Sequence, residues 1–320
     1  MRYKKVKNMK EEISQISIGT WAIGGKNSAG GGYGEVDEKE SVEAIQTMIE
    51  HGVNLIDTAP IYGEGNSEIV VGKAIKGLRD KVLVATKFGS YISHYTGKAV
   101  RNNSYNFVMR ECEDSLQRLG VDHIDIYLMH WPDANTPMEE TMAVLNDLKK
   151  QGKIRYIGLC NSNKELVGEA MQFGQVDMIQ VPFSMVNQSD AELMEWAEMQ
   201  GIGVMTWGSL GSGILTGSIR EMPKFDEKDF RNTFYPFYKE PMFSSIMTFL
   251  KTMDQISETY HKPLAQMAIN WNTQKSYVST SIVGVRNKWE AVENCNTFNW
   301  ELAPEEIALL DSKLKELNIG

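Results

Sequence analysis

Short apolar or alternating runs recur along the 320-residue chain at a spacing of about 25 to 45 residues, and each leads into a stretch with helical periodicity. The runs lie at 16–19, 54–59, 82–87, 124–130, 154–160, 178–183, 204–207 and 280–285. Strands that alternate with amphipathic helices predict βα units and a parallel sheet, and the count favours a closed (β/α)8 TIM barrel over an open sheet. The helices carry start and stop signals. Asp37 stands three residues before Glu40 as a helix cap, followed by Val42, Ile45, Met48 and Ile49 on one face, with Gly52 after the end. A second pattern from Glu139 to Gln151 sets Met142, Leu145 and Leu148 on one face and closes on Gly152. Residues 1–15 predict a hairpin across the barrel bottom, and a tail helix is expected from Pro304 to about Leu317. The long segment 209–243 follows the seventh strand, on the face where barrel active sites occur, and is a candidate lid.

Composition narrows the class without changing this architecture. Hydrophobic residues make up 42% and charged residues 23%, which fits one α/β-barrel domain over residues 1–320, insertions included. A formal net charge of −9 argues against a nucleic-acid or anionic-membrane partner, since both would be repelled at long range, and an anionic ligand needs a local basic pocket. Cys112, Cys160 and Cys295 are odd in number and widely spaced, so they suggest neither a disulfide scaffold nor a zinc site. His51, His94, His123 and His261 show no metal-ligand spacing. The basic N-terminus is followed by no apolar core of signal-peptide length, and the longest apolar runs are strand-sized; a cytoplasmic protein is expected.

Candidate chemistry sits at strand ends. The run from Asn54 to Glu68 delivers Asp57 and then Tyr62, the run ending at Lys87 delivers a lysine, and the run ending at His130 a histidine. Parallel strands in a barrel would bring these together. A phenol has a pKa of about 10 and needs a stabilised phenolate to act as a proton donor at neutral pH. Lys87 would supply that charge, and Asp57 is the expected counter-ion of a lysine withdrawn from water. His130 would orient and polarise a bound carbonyl. Each residue alone is an ordinary strand-end polar group; the set defines a proton-transfer site.

The sequence resembles the aldo-keto reductase superfamily over essentially its whole length. The resemblance rests on Gly19-Thr20-Trp21, on Asp57 with Tyr62-Gly63, on Lys87, on the stretch from Asp122 to His130, and on the run from Gly152 to Gly158. Further on it includes Asn161, Gln180, the stretch from Leu210 to Gly217, and Glu293-Asn294. It implies Tyr62 as general acid, tuned by Lys87 and Asp57, with His130 positioning the carbonyl and a nicotinamide cofactor supplying hydride.

Cofactor contacts are implied for Gly19, Thr20 and Trp21, for Asn161 and Gln180 at the carboxamide, and for Trp207 against the nicotinamide face. Leu210, Gly211 and Ser212 fall near the pyrophosphate; Gly284, Arg286, Lys288, Glu293 and Asn294 fall at the adenosine end. The chain has no G-x-G-x-x-G after its first strand, which agrees with an extended cofactor across a barrel mouth, and Gly30 to Gly34 is a loop-like glycine run.

NADP(H) is the expected cofactor, but Glu290 stands where many NADP-dependent relatives carry Arg or Gln, which makes NAD(H) an option because carboxylate and phosphate repel. Cys160 and Ser209 also depart from the usual Ser and Pro. Trp21 and Trp131 are the candidate substrate contacts, with Tyr33 and the aromatics of 230–238 behind them. The implied activity is reduction of a small-molecule aldehyde, ketone or sugar carbonyl. The nearest alternative is an aldose or alcohol dehydrogenase; one of another class is a cofactor-sensing binding subunit with the same fold. The resemblance leaves the oligomeric state open.

Overall fold

A computed structural model describes residues 1–28, 36–225, 230–232 and 235–319. The glycine run Gly30 to Gly34 with Tyr33, and the aromatic Phe234, lie outside the described residues. Eight strands are labelled here in chain order: β1 Ile16–Gly19, β2 Leu55–Asp57, β3 Leu83–Phe88, β4 Ile124–Met129, β5 Ile154–Cys160, β6 Met178–Pro182, β7 Gly203–Trp207 and β8 Thr280–Gly284. They close into one barrel in sequence order, every neighbouring pair parallel, with β8 joined to β1. The fold is therefore the (β/α)8 TIM barrel expected from the periodicity.

Successive side chains on a strand point to opposite faces, so each barrel strand sorts its residues between the axis and the helices. Leu55, Leu83, Ala85, Ile126, Leu128, Tyr156, Met178, Met205 and Ile282 form the inner core. Their sequence neighbours Ile56, Val84, Tyr127, Ile157, Ile179 and Val204 belong to the larger core between strands and helices. The same parity, carried two residues towards the C-terminal ends, or four on β5, directs Asp57, Lys87, His130, Cys160, Gln180 and Trp207 to the axis. The strand register, with Gly19 opposite Asp57, Lys87 opposite Leu128 and Gln180 opposite Cys160, stacks them at one mouth.

The opposite mouth is plugged. Strands Tyr3–Lys5 and Glu12–Ser14 pair antiparallel, and Val6, Met9 and Ile13 of this hairpin complete the inner core. The outer helices behave as their caps predict. Asp37 accepts a hydrogen bond from Glu40 N at the start of Glu38–Glu50, and Gly52 takes a positive φ of 91° after its end. The second helix expected from the periodicity runs Met138–Lys150, starting one residue before Glu139 and without a side-chain cap. The tail helix is Pro304–Glu316. The segment after β7 holds the short turns Gly211–Thr216 and Pro236–Tyr238, and Phe237 and Tyr238 are buried in the outer core.

Candidate active site

Four strand-end side chains converge at the open mouth. Lys87, fully buried, donates to both carboxylate oxygens of Asp57 at 2.9 and 2.8 Å, to Thr58 O at 2.9 Å and to the Tyr62 hydroxyl at 3.2 Å. Burial alone would lower the Lys87 ammonium; the Asp57 carboxylate, together with Tyr62 and Cys160, outweighs that and holds it above the ordinary lysine value. Tyr62 sits on the loop after β2, its backbone packed on Gly24. A Cβ on Gly63 would lie 1.9 Å from Gly24 O, and Gly63 has φ 58°, so glycine is required there on both counts. His130 follows β4, and its backbone N–H donates to Phe88 O at 3.0 Å, which ties it to the strand that carries Lys87. The Tyr62 and His130 rings meet edge to face with centroids 5.9 Å apart, and Trp21 stacks on Tyr62 at 6.1 Å.

The electrostatics refine the sequence reading. Burial pushes the Tyr62 phenol up to about 12; Lys87 pulls it down, as expected, but does not win against desolvation in this structure. Burial, then Lys87 and Arg101, hold His130 well below its ordinary value, so the imidazole is neutral and offers an N–H rather than a charge.

Gln180 joins the catalytic network directly. Its Nε2 donates to Asp57 Oδ1 at 2.7 Å, while its Oε1 accepts from the Cys160 thiol at 3.3 Å. Asn161, in a left-handed conformation with φ 50°, donates through Nδ2 to His130 O at 2.9 Å and to Cys160 Sγ at 3.1 Å. Cys160 is thus a small buried residue of the network, its thiol pushed up to about 12 by burial. Thr20 is buried and donates through Oγ1 to Asp57 O at 2.9 Å. Gly19 allows β1 to meet β8, since a Cβ there would lie 2.8 Å from the Ile282 side chain. Ser209 bonds its hydroxyl to Ser281 across β7 and β8, a link that a proline would remove. Beneath the mouth, Glu111 of helix Tyr105–Leu119 accepts from Gly89 N at 2.7 Å, just beyond β3.

Beside this cluster opens a cavity of about 570 Å³ whose walls include Trp131, Asn161, Phe183, Asp190, Trp207 and Tyr235. Leu210, Gly211 and Ser212 form a tight turn beyond Trp207, with φ 55° at both Gly211 and Ser212. The Ser212 hydroxyl is buried there without a hydrogen-bond partner among the described residues. At the end of β8, Asn294 Nδ2 donates to Gly284 O at 3.2 Å, and open space lies where a Gly284 side chain would stand. The helix Lys288–Cys295 starts there, capped by Asn287, with Glu293 half-buried on its inner turn. An orphaned hydroxyl, an open glycine and a helix N-terminus suit a dinucleotide with phosphates. The two cations at that end are already paired: Arg286 Nη2 with Glu290 at 2.8 Å and Lys288 Nζ with Glu43 at 2.9 Å. Sequence reasoning passed over Arg101, whose guanidinium stacks on Trp131 with Cζ 4.8 Å from the ring centroid. The available signal was Thr96-Gly97, a turn dipeptide between the short runs Tyr91-Ile92 and Ala99-Val100.

A parallel barrel with a lysine-bound phenol and a neutral histidine at its C-terminal mouth defines a carbonyl oxidoreductase site. The Aldo/keto reductase family model matches residues 15–315. Aldo-keto reductase YhdN of Bacillus subtilis is 34% identical over 310 residues, 96% of this chain and 91% of that protein. The NADH-specific methylglyoxal reductase of Escherichia coli is 33% identical, covering 93% of this chain and 94% of its own. The structure of glycerol dehydrogenase AKR11B4 from Gluconobacter oxydans superimposes with a TM-score of 0.89 at 29% identity, covering 98% of this chain and 95% of its own. The chain belongs to the aldo/keto reductase family and is an NAD(P)H-dependent oxidoreductase. Among the described residues no helix is long and apolar enough to cross a membrane.

Proposed function

We propose that this chain, acting as one barrel domain over residues 1–320 in the cytoplasm, reduces a small aldehyde, ketone or sugar carbonyl with Tyr62 as the proton donor. The observation that carries the reading is the Lys87 Nζ, 3.2 Å from the Tyr62 hydroxyl while held by both oxygens of Asp57. A nicotinamide cofactor held at this mouth would supply the hydride that reduces the carbonyl carbon. The carbonyl oxygen lies between Tyr62 and His130 and takes the Tyr62 proton as the C–O bond becomes single. Lys87 stabilises the phenolate left behind, and Asp57 keeps that ammonium charged and fixed. His130, being neutral, donates an N–H to the same oxygen and orients it. Gly19, Thr20, Trp21, Asn161, Gln180, Trp207, the 210–212 turn and the 284–294 segment would hold the cofactor; Trp21 and Trp131 would flank the substrate.

The test follows nicotinamide absorbance with a reactive aromatic aldehyde for wild type and Tyr62→Phe. Loss of turnover by about 10²- to 10⁴-fold, with cofactor binding retained, is the expected result for a general acid. Equal turnover in both proteins would overturn the assignment. The similarity to a glycerol dehydrogenase supports a second reading, in which the same site runs as an alcohol dehydrogenase with the Tyr62 phenolate as base. Comparing rates with glycerol and NAD(P)+ against rates with the aldehyde separates the directions.

A further inference from the structure

Arg101 ends the second strand of a short antiparallel hairpin, Ser90–Ile92 with Ala99–Arg101, that rises over the mouth directly after β3. It pairs with Ser90, which lies three residues beyond Lys87, so the hairpin base and the catalytic lysine share one stretch of backbone. The chain beyond is pinned: Asn102 N donates to Gly89 O at 3.1 Å, and the buried Asn103 donates through Nδ2 to Trp131 O at 3.0 Å. The guanidinium lies over the Trp131 ring, one residue after His130, and its charge contributes to keeping His130 neutral. Arg101 is solvent-exposed and forms no ion pair with any described acidic group.

An arginine held on an aromatic ring keeps its planar fork free for a carboxylate or phosphate. The chain carries a net charge of −9, so an anionic substrate is repelled at long range and needs a local cation to seat it. We propose that Arg101 is a specificity residue that binds an anionic oxygen group, carboxylate or phosphate, on the carbonyl substrate over Trp131. The reacting carbonyl then lies between Tyr62 and His130. This deepens, and rests on, the carbonyl-reductase reading of the same site.

The experiment compares charged and neutral carbonyl pairs in wild type, Arg101→Gln and Arg101→Lys. The pairs are 4-carboxybenzaldehyde and succinic semialdehyde against their carboxamides, and glyceraldehyde 3-phosphate against glyceraldehyde. Arg101→Gln is expected to lower kcat/KM for the charged members by about tenfold or more, chiefly through KM, while neutral members stay within about twofold. Lys at this position restores part of the loss, and wild-type selectivity for the charged member falls with added salt. Carboxylate and phosphate pairs report separately which group the fork accepts. A loss equal for charged and neutral members, as a contact with cofactor phosphates or a prop for Trp131 would give, overturns the proposal. So does unchanged selectivity in Arg101→Gln, while turnover by wild type leaves the reductase reading intact. Absence of turnover on every pair by cofactor-bound wild type would remove both. Arg101 is exposed, and matched thermal midpoints show that the variants fold.

Discussion

A phenol becomes a usable acid only where its conjugate base is favoured, and Tyr62 stands between opposing influences. Burial and, behind it, the Asp57 carboxylate raise it, Lys87 lowers it from 3.2 Å away, and the balance stands at about 12. Lys87→Met removes the one stabilising charge, so reduction should fall by at least about 10²-fold, and raising the pH should not restore it. Stopped-flow kinetics over pH 6 to about 9 would check this; a variant recovering at high pH would show that Lys87 serves only to bind. The cysteines give a second expectation at this scale. Cys160 is 2% exposed and its thiol is raised to about 12, so little thiolate exists at neutral pH. Folded protein treated with iodoacetamide at pH 8 should retain an unmodified Cys160 by peptide mass, and Cys160→Ser should keep activity within about threefold because a hydroxyl still donates to Gln180.

Strands and helices hold these residues by contacts that differ greatly in how far the sequence discloses them. Glu111, on helix Tyr105–Leu119, grips Gly89 just after β3, and its carboxyl is raised to about 7 by burial, against the Gly89 N–H bond and with Glu68 adding to the rise. Because the folded state holds this proton more tightly than the unfolded chain, stability contributed by the neutral form is lost as pH rises from about 4.5 towards 7. Glu111→Gln should flatten that slope and be the more stable protein at pH 8, by at most roughly 3 kcal/mol, in urea unfolding at pH 5 and pH 8. At the far end of the proposed cofactor site, Glu290 pairs with Arg286 and Glu43 with Lys288. Glu290→Gln should tighten NADPH binding by about three- to tenfold, as measured by calorimetry, and leave NADH within about twofold.

Asp57, Lys87 and His130 were legible because each ends an apolar run, and period-two parity then aims all three inward. Gln180's bond to Asp57 was not, because it joins residues 123 positions apart and depends on barrel closure. The pairing of Lys288 with Glu43 was equally hidden, since it joins residues 245 positions apart, whereas Arg286 and Glu290 stand at the local i,i+4 spacing.

The whole molecule divides into a plugged end and a working end. Val6, Met9 and Ile13 fill the barrel from below, so Ile13→Ala leaves a hole in the inner core and should cost about 2–5 kcal/mol in denaturant unfolding. The kcat of the molecules that remain folded should be unchanged. The axis-facing parity bears on which length changes the chain tolerates. One residue inserted within β3 would turn Lys87 towards the helices and a neighbour towards the axis, removing the site and part of the core together. The tip of the Ser90–Ile92/Ala99–Arg101 hairpin turns through residues 93–98, of which Thr96 and Gly97 donate to Ser93 O and are exposed. Insertions and deletions are therefore survivable at that tip and lethal a few residues earlier, so the choice of substrate can drift by changes of length while the proton-transfer chemistry stays fixed.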